Sequence, residues 1–126
     1  MVADGEGGFL LVGDGIFVLK IDGEGNKVWE ERFRGVGMAD AWDIIPSGDG
    51  GFVVFGYTEA DQRIGGGYLF MIDREGNTIW EKVLPHGYGT CIAGTRDGGY
   101  LTVNVGEYVH VWKLDREGNP VWNRTY

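Results

Sequence analysis

The sequence predicts an all-β chain of three repeated four-stranded units. Three observations carry that expectation. A turn motif, Asp-x-Glu-Gly-Asn-x-(Val/Ile)-Trp with the second residue free, occurs three times. A second motif, an acidic residue followed by Gly-Gly and an aromatic, also occurs three times at an offset. No segment places its apolar residues at helical spacing.

The first motif stands at residues 22–29, 73–80 and 115–122, and ends on Trp29, Trp80 and Trp122. The second is Glu6-Gly7-Gly8-Phe9, Asp49-Gly50-Gly51-Phe52 and Asp97-Gly98-Gly99-Tyr100. Both recur at about 40–50 residues, the length of a four-stranded propeller blade. The units are residues 1–34, 35–85 and 86–126. In the first, residues 1–3 are what remains of an opening strand, and strands follow at 9–12, 16–21 and 27–33. In the second, strands fall at 42–45, 52–57, 68–72 and 78–84. In the third they fall at 90–93, 100–105, 109–114 and 120–126.

The turns have a physical reason. Gly25, Gly76 and Gly118 reach positive φ without a Cβ penalty, and the Asn after each tolerates the left-handed region. The Asp that opens each turn accepts backbone N–H groups, as in an Asx-turn. The second and third strands of a unit are apolar at consecutive positions, for example Phe52-Val53-Val54-Phe55. A sheet with one wet face would alternate, so these strands are expected to be covered on both faces.

Composition narrows the function. The net charge is −8 over 126 residues, which disfavours nucleic acid and anionic membrane surfaces as partners. Cys91 is alone, so no intrachain disulfide and no paired-cysteine zinc site can form. The first residues show no signal-peptide pattern, and no apolar run reaches the ~20 residues of a membrane helix. The compartment is left open.

The repeated motifs resemble the Gly- and Trp-rich propeller repeats of secreted and cell-surface bacterial and archaeal proteins. They are similar, more loosely, to the tryptophan-docking repeats of quinoprotein-like propellers. The resemblance covers nearly the whole chain and implies a propeller fold. It implies no cofactor, because three blades do not surround a quinone and no vicinal cysteine pair is present. Trp29, Trp80 and Trp122 are expected to pack between blades.

Chemistry-bearing residues are sparse. Ser47, Cys91, His86 and His110 are the candidates for nucleophilic catalysis. Ser47 falls beside a turn and His86 in a loop at the opposite end of the blades. Cys91 is expected as a small core residue, and His110 as a packed strand residue aligned with Phe17 and Tyr68. The Asp-x-Glu-Gly-Asn turns have Gly at the fourth place and no distal Glu, unlike an EF-hand loop, so no metal is expected. The glycine clusters lack the helix and Lys of a phosphate loop.

Sequence variation gathers at the blade ends opposite the motifs. Variable loops on a rigid scaffold are where binding usually resides. The candidate surface is Arg34, Asp40, Trp42, Glu59, Asp61, Arg63, His86 and Tyr88. Aromatics among carboxylates and arginines suit a glycan or a peptide, so the expectation is a non-enzymatic binding or scaffold module. The alternative is an enzyme of hydrolase or lyase type whose site forms only in a closed ring. Three blades cannot close, since propellers use about 4–8. The expected assembly is a homodimer completing six blades. A whole number of blades equally fits a segment of a longer propeller.

Overall fold

The computed structural model describes residues 1–13, 17–32, 39–58, 66–85 and 88–126. Every regular element among them is a strand. Blade 1 comprises β1 (Val2–Ala3), β2 (Phe9–Gly13), β3 (Phe17–Ile21) and β4 (Lys27–Arg32). Blade 2 comprises β5 (Ala39–Pro46), β6 (Phe52–Thr58), β7 (Gly66–Ile72) and β8 (Thr78–Leu84). Blade 3 comprises β9 (Tyr88–Gly94), β10 (Tyr100–Val105), β11 (Val109–Leu114) and β12 (Pro120–Thr125). Each blade is one antiparallel sheet with its strands in chain order, as short turns between neighbouring strands dictate. The chain is thus three propeller blades.

Two kinds of turn set the register. With the four strands of each blade lettered A to D in chain order, the C–D turns are Asx-turns: Asp22, Asp73 and Asp115 each accept two backbone N–H groups, the second from Asn26, Asn77 and Asn119 at 2.8 Å. These bonds favour the ionised carboxyl, so all three carboxyls titrate below the ordinary aspartate value. Gly25, Gly76 and Gly118 then take φ of 86°, 88° and 79°. The A–B turns use a cap that the repeat pattern conceals. Asp4 Oδ1 accepts the N–H groups of Glu6 and Gly8. At the same place in blade 2, Ser47 Oγ accepts the Gly51 N–H and donates to Asp49. In blade 3, Thr95 Oγ1 donates to Asp97. Ser47 is therefore a turn cap.

The core lies at the two blade junctions. Between blades 1 and 2, Leu10 and Val18 meet Ile44, Phe52, Val54, Tyr68, Phe70 and Ile72, with Val2, Val12 and Trp29 packed against them. Between blades 2 and 3, Val53, Phe55, Leu69, Met71 and Leu84 meet Ile92, Tyr100 and Leu114, with Trp80 and Trp112 alongside. Blade 2 is sandwiched, and every residue of β7 is buried. Complete burial of a Leu, Val or Phe stabilises by about 1.5–3 kcal/mol, so blade 2 holds the trio together. Blades 1 and 3 each bury one face. Cys91 corrects its expected core position: it is exposed. Its neighbour Ile92 points into the junction with blade 2, so strand alternation turns Cys91 to the outer face of blade 3.

Candidate functional site

The tryptophans form a lock from blade to blade. Trp29 lies within β4, and its indole N–H donates to the carbonyl of Arg74 in the C–D turn of blade 2, at 3.2 Å. Its ring lies on Gly76, where a Cβ would meet ring carbons at 3.4 Å. Trp80 lies on Gly118 of blade 3 more tightly, and a Cβ there would come within 2.7 Å of the ring. The glycine thus serves twice, once for its positive φ and once as a flat seat. Arg74 adds a tie between blades, with Nη1 at 2.7 Å from Glu6 Oε1 in blade 1.

A second cross-blade tie passes through the inner strands. Asp43 on β5 accepts the N–H of Ile44 at 2.9 Å through one oxygen and that of Ile92 on β9 at 3.1 Å through the other. Here β5 is bulged: Ala41 pairs with Gly56 and Asp43 with Phe55, which leaves Trp42 unpaired. Gly56 permits the bulge, since a Cβ there would fall 1.8 Å from the Asp40 carbonyl. A bulge re-aims the side chain it carries. Trp42 is 47% exposed, on the strand that also carries the buried Ala41 and Ile44. Asp40 is half-buried one pair nearer the loop end, opposite Tyr57. β9 has its irregularity at the same level, and Thr90, the counterpart of Trp42, bonds the Val103 carbonyl at 2.8 Å.

Of the expected binding surface, Asp40 and Trp42 therefore sit together on β5. Arg34, Glu59, Asp61, Arg63 and His86 lie outside the described residues, and Tyr88 is described only as backbone of β9. His110 is half-buried on β11, with Nδ1 3.1 Å from Thr125 Oγ1. The aspartates at the turns are committed to capping. Tyr68 donates its hydroxyl to Glu81, and burial, reinforced by that carboxylate, raises the phenol well above its ordinary value. A concave pocket of about 320 Å³ lies at the turn end of blade 2, lined by Asp49, Met71, Asp73, Arg74, Glu75 and Ile79 among others. Sequence reasoning had not marked it. Its polar groups are the turn residues just described.

No protein-family model and no curated protein matches the sequence. Among solved structures the chain is similar to a protein of unknown function from Bacteroides caccae, with a TM-score of 0.67 and 17% identity. The match covers 92% of this chain and 39% of the other, so the chain spans well under half of that neighbour. At this identity the likeness extends to the fold.

Proposed function

We propose that this chain is a non-enzymatic binding or scaffold module that closes into a ring by self-association and presents a ligand surface at the loop end of its blades. The ligand class is a glycan or a peptide. The observation that carries the reading is Trp42: a bulge and a glycine on the facing strand hold a large aromatic partly in solvent, two residues along β5 from Asp40. An indole face offers stacking area for a sugar ring or an apolar side chain, and a neighbouring carboxylate offers acceptors for hydroxyl or amide groups. The framework beneath is stiffened by the Trp29 and Trp80 locks, as a preorganised site requires. The repeat type fits the Gly- and Trp-rich propellers of secreted and cell-surface proteins.

Glycan and peptide arrays test this reading. Wild-type protein is expected to give a defined set of positives, and Trp42→Ala to lose them while its far-UV circular dichroism is unchanged. Positives that persist in Trp42→Ala, or turnover in a hydrolase screen with no array binding, would overturn it.

A further inference from the structure

The structure leaves one lock half-made at each end of the chain, and the halves match. Trp122 holds in blade 3 the place of Trp29 and Trp80: it pairs with Lys113 as Trp29 does with Lys20 and Trp80 with Met71. Among the described residues no turn lies beneath it, and it is 42% exposed. Gly25 holds in blade 1 the place of Gly76 and Gly118, with the same positive φ. Among the described residues nothing lies within 4 Å of a Cβ built on it, whereas the other two seats are each covered by an indole.

The surrounding faces match as well. Register places Leu101, Val103 and Val111 of blade 3 where blade 1 has Leu10, Val12 and Val18, with Lys113 for Lys20 and Trp122 for Trp29. Register likewise places Phe9, Leu11, Phe17, Leu19 and Ile21 of blade 1 where blade 2 has Phe52, Val54, Tyr68, Phe70 and Ile72. The junction of blades 1 and 2 is built from those two sets. The outer face of blade 3 thus repeats one side of an existing junction, and the outer face of blade 1 repeats the other. Phe9 is 38% exposed where its counterpart Phe52 is 2% exposed. Charge agrees too. The Asp115 carboxyl, held low chiefly by the Asn119 N–H, is lowered a little further by Lys82 of the preceding blade, two residues beyond Trp80. The counterpart of Lys82 is Arg124, which stands over the Trp122 ring, and the matching carboxylate is Asp22.

From this match we infer that the occupant of both faces is a second copy of this chain, joined head to tail, with Trp122 of one copy seated on Gly25 of the other. The indole N–H then donates to the Gly23 carbonyl, the counterpart of Arg74, and Arg124 comes beside Asp22. Two copies make two such seams and six blades. The inference deepens the self-association proposed above and rests on it.

Two variants test the seam from its two sides. Trp122→Ala removes the knob. Gly25→Asn keeps a residue that tolerates positive φ and fills the seat. Association is measured by sedimentation of each variant alone and of an equimolar mixture. Each alone is expected to associate at least tenfold more weakly than wild type. The mixture is expected to regain dimer, because one of its two seams pairs an intact Trp122 with an intact Gly25. A side-by-side contact of like faces gives no such rescue. Phe9→Arg and Val103→Arg, one on each face, provide a second pair with the same expectation should Gly25→Asn fail to fold. Wild-type dimers that both variants leave unweakened, or a mixture no better than its parts, would overturn the Trp122–Gly25 seam alone. A monomeric wild type would overturn self-association as well.

Discussion

Replacing Gly25, Gly76 and Gly118 by alanine, one at a time, separates the two duties of the turn glycine. All three residues have φ between 79° and 88°, so each alanine pays the same backbone strain, about 1–2 kcal/mol. What differs is the seat. At Gly25 the new methyl meets nothing within 4 Å. At Gly76 it meets the Trp29 ring at 3.4 Å, an ordinary contact. At Gly118 it would stand 2.7 Å from the Trp80 ring and 3.2 Å from Lys82 Cγ, so the indole must leave the turn or the turn must move. Forcing a methyl into a packed junction costs about a further 1–3 kcal/mol. The expected losses are therefore about 1–2 kcal/mol at Gly25, nearly the same at Gly76, and about 2–5 kcal/mol at Gly118. Urea unfolding followed by tryptophan fluorescence reads them, at the lowest workable protein concentration so that association across Gly25 contributes least. Equal losses at Gly25 and Gly118 would refute the reasoning, because the indole would then add nothing to the cost of positive φ.

Asp43→Ala is expected to lose about 1–3 kcal/mol by leaving the Ile92 N–H without its acceptor. Native-state hydrogen exchange at Ile92 should accelerate, and an unchanged rate would dismiss the cross-blade tie. Acid should unfold the chain through its turn aspartates. Backbone N–H donors hold Asp22, Asp73 and Asp115 below the ordinary value of 3.8, and Thr95 and Lys113 help to do the same for Asp97. A lowered folded-state value contributes stability that is complete above the unfolded value and is lost as pH falls toward the folded one. Urea midpoints should thus be level from neutral pH to about pH 5 and decline below about pH 4. Midpoints that hold steady to pH 3 would contradict it.

The fold was legible because the turns are spelled out. Asp, Gly and Asn at fixed offsets specify one backbone geometry, and three copies of it leave little choice of register. The A–B caps were harder to see. Asp4 and Ser47 each accept the N–H of the second glycine four residues on, whereas in blade 3 Asp97 accepts it and Thr95 at the matching place holds Asp97, so the position keeps a short side-chain oxygen but not one residue type. The bulge that displaces Trp42 has no signature in β5 itself. Gly56 in the strand opposite makes room for it, a pairing that becomes apparent only in the sheet, and β9 carries its own irregularity opposite Asn104. Cys91 shows the limit of a linear reading: its strand is an inner one, but which side of that strand is covered depends on which blade stands beside it. The seats at Gly76 and Gly118 join residues of different repeats, so the repeated motif contained both partners without showing that they touch. Five of the eight residues of the loop-end surface fall outside the described residues, and Asp40 and Trp42 are those whose side chains the structure places.

Ring closure by self-association is tested most directly by the mass of the wild-type chain in solution, measured by light scattering across micromolar concentrations. The two-seam ring predicts a particle of about twice the 13.9 kDa chain, with no larger species, since both open faces are then consumed. A well-folded particle of 13.9 kDa at those concentrations would contradict it, and would leave the faces around Trp122 and Gly25 to other blades.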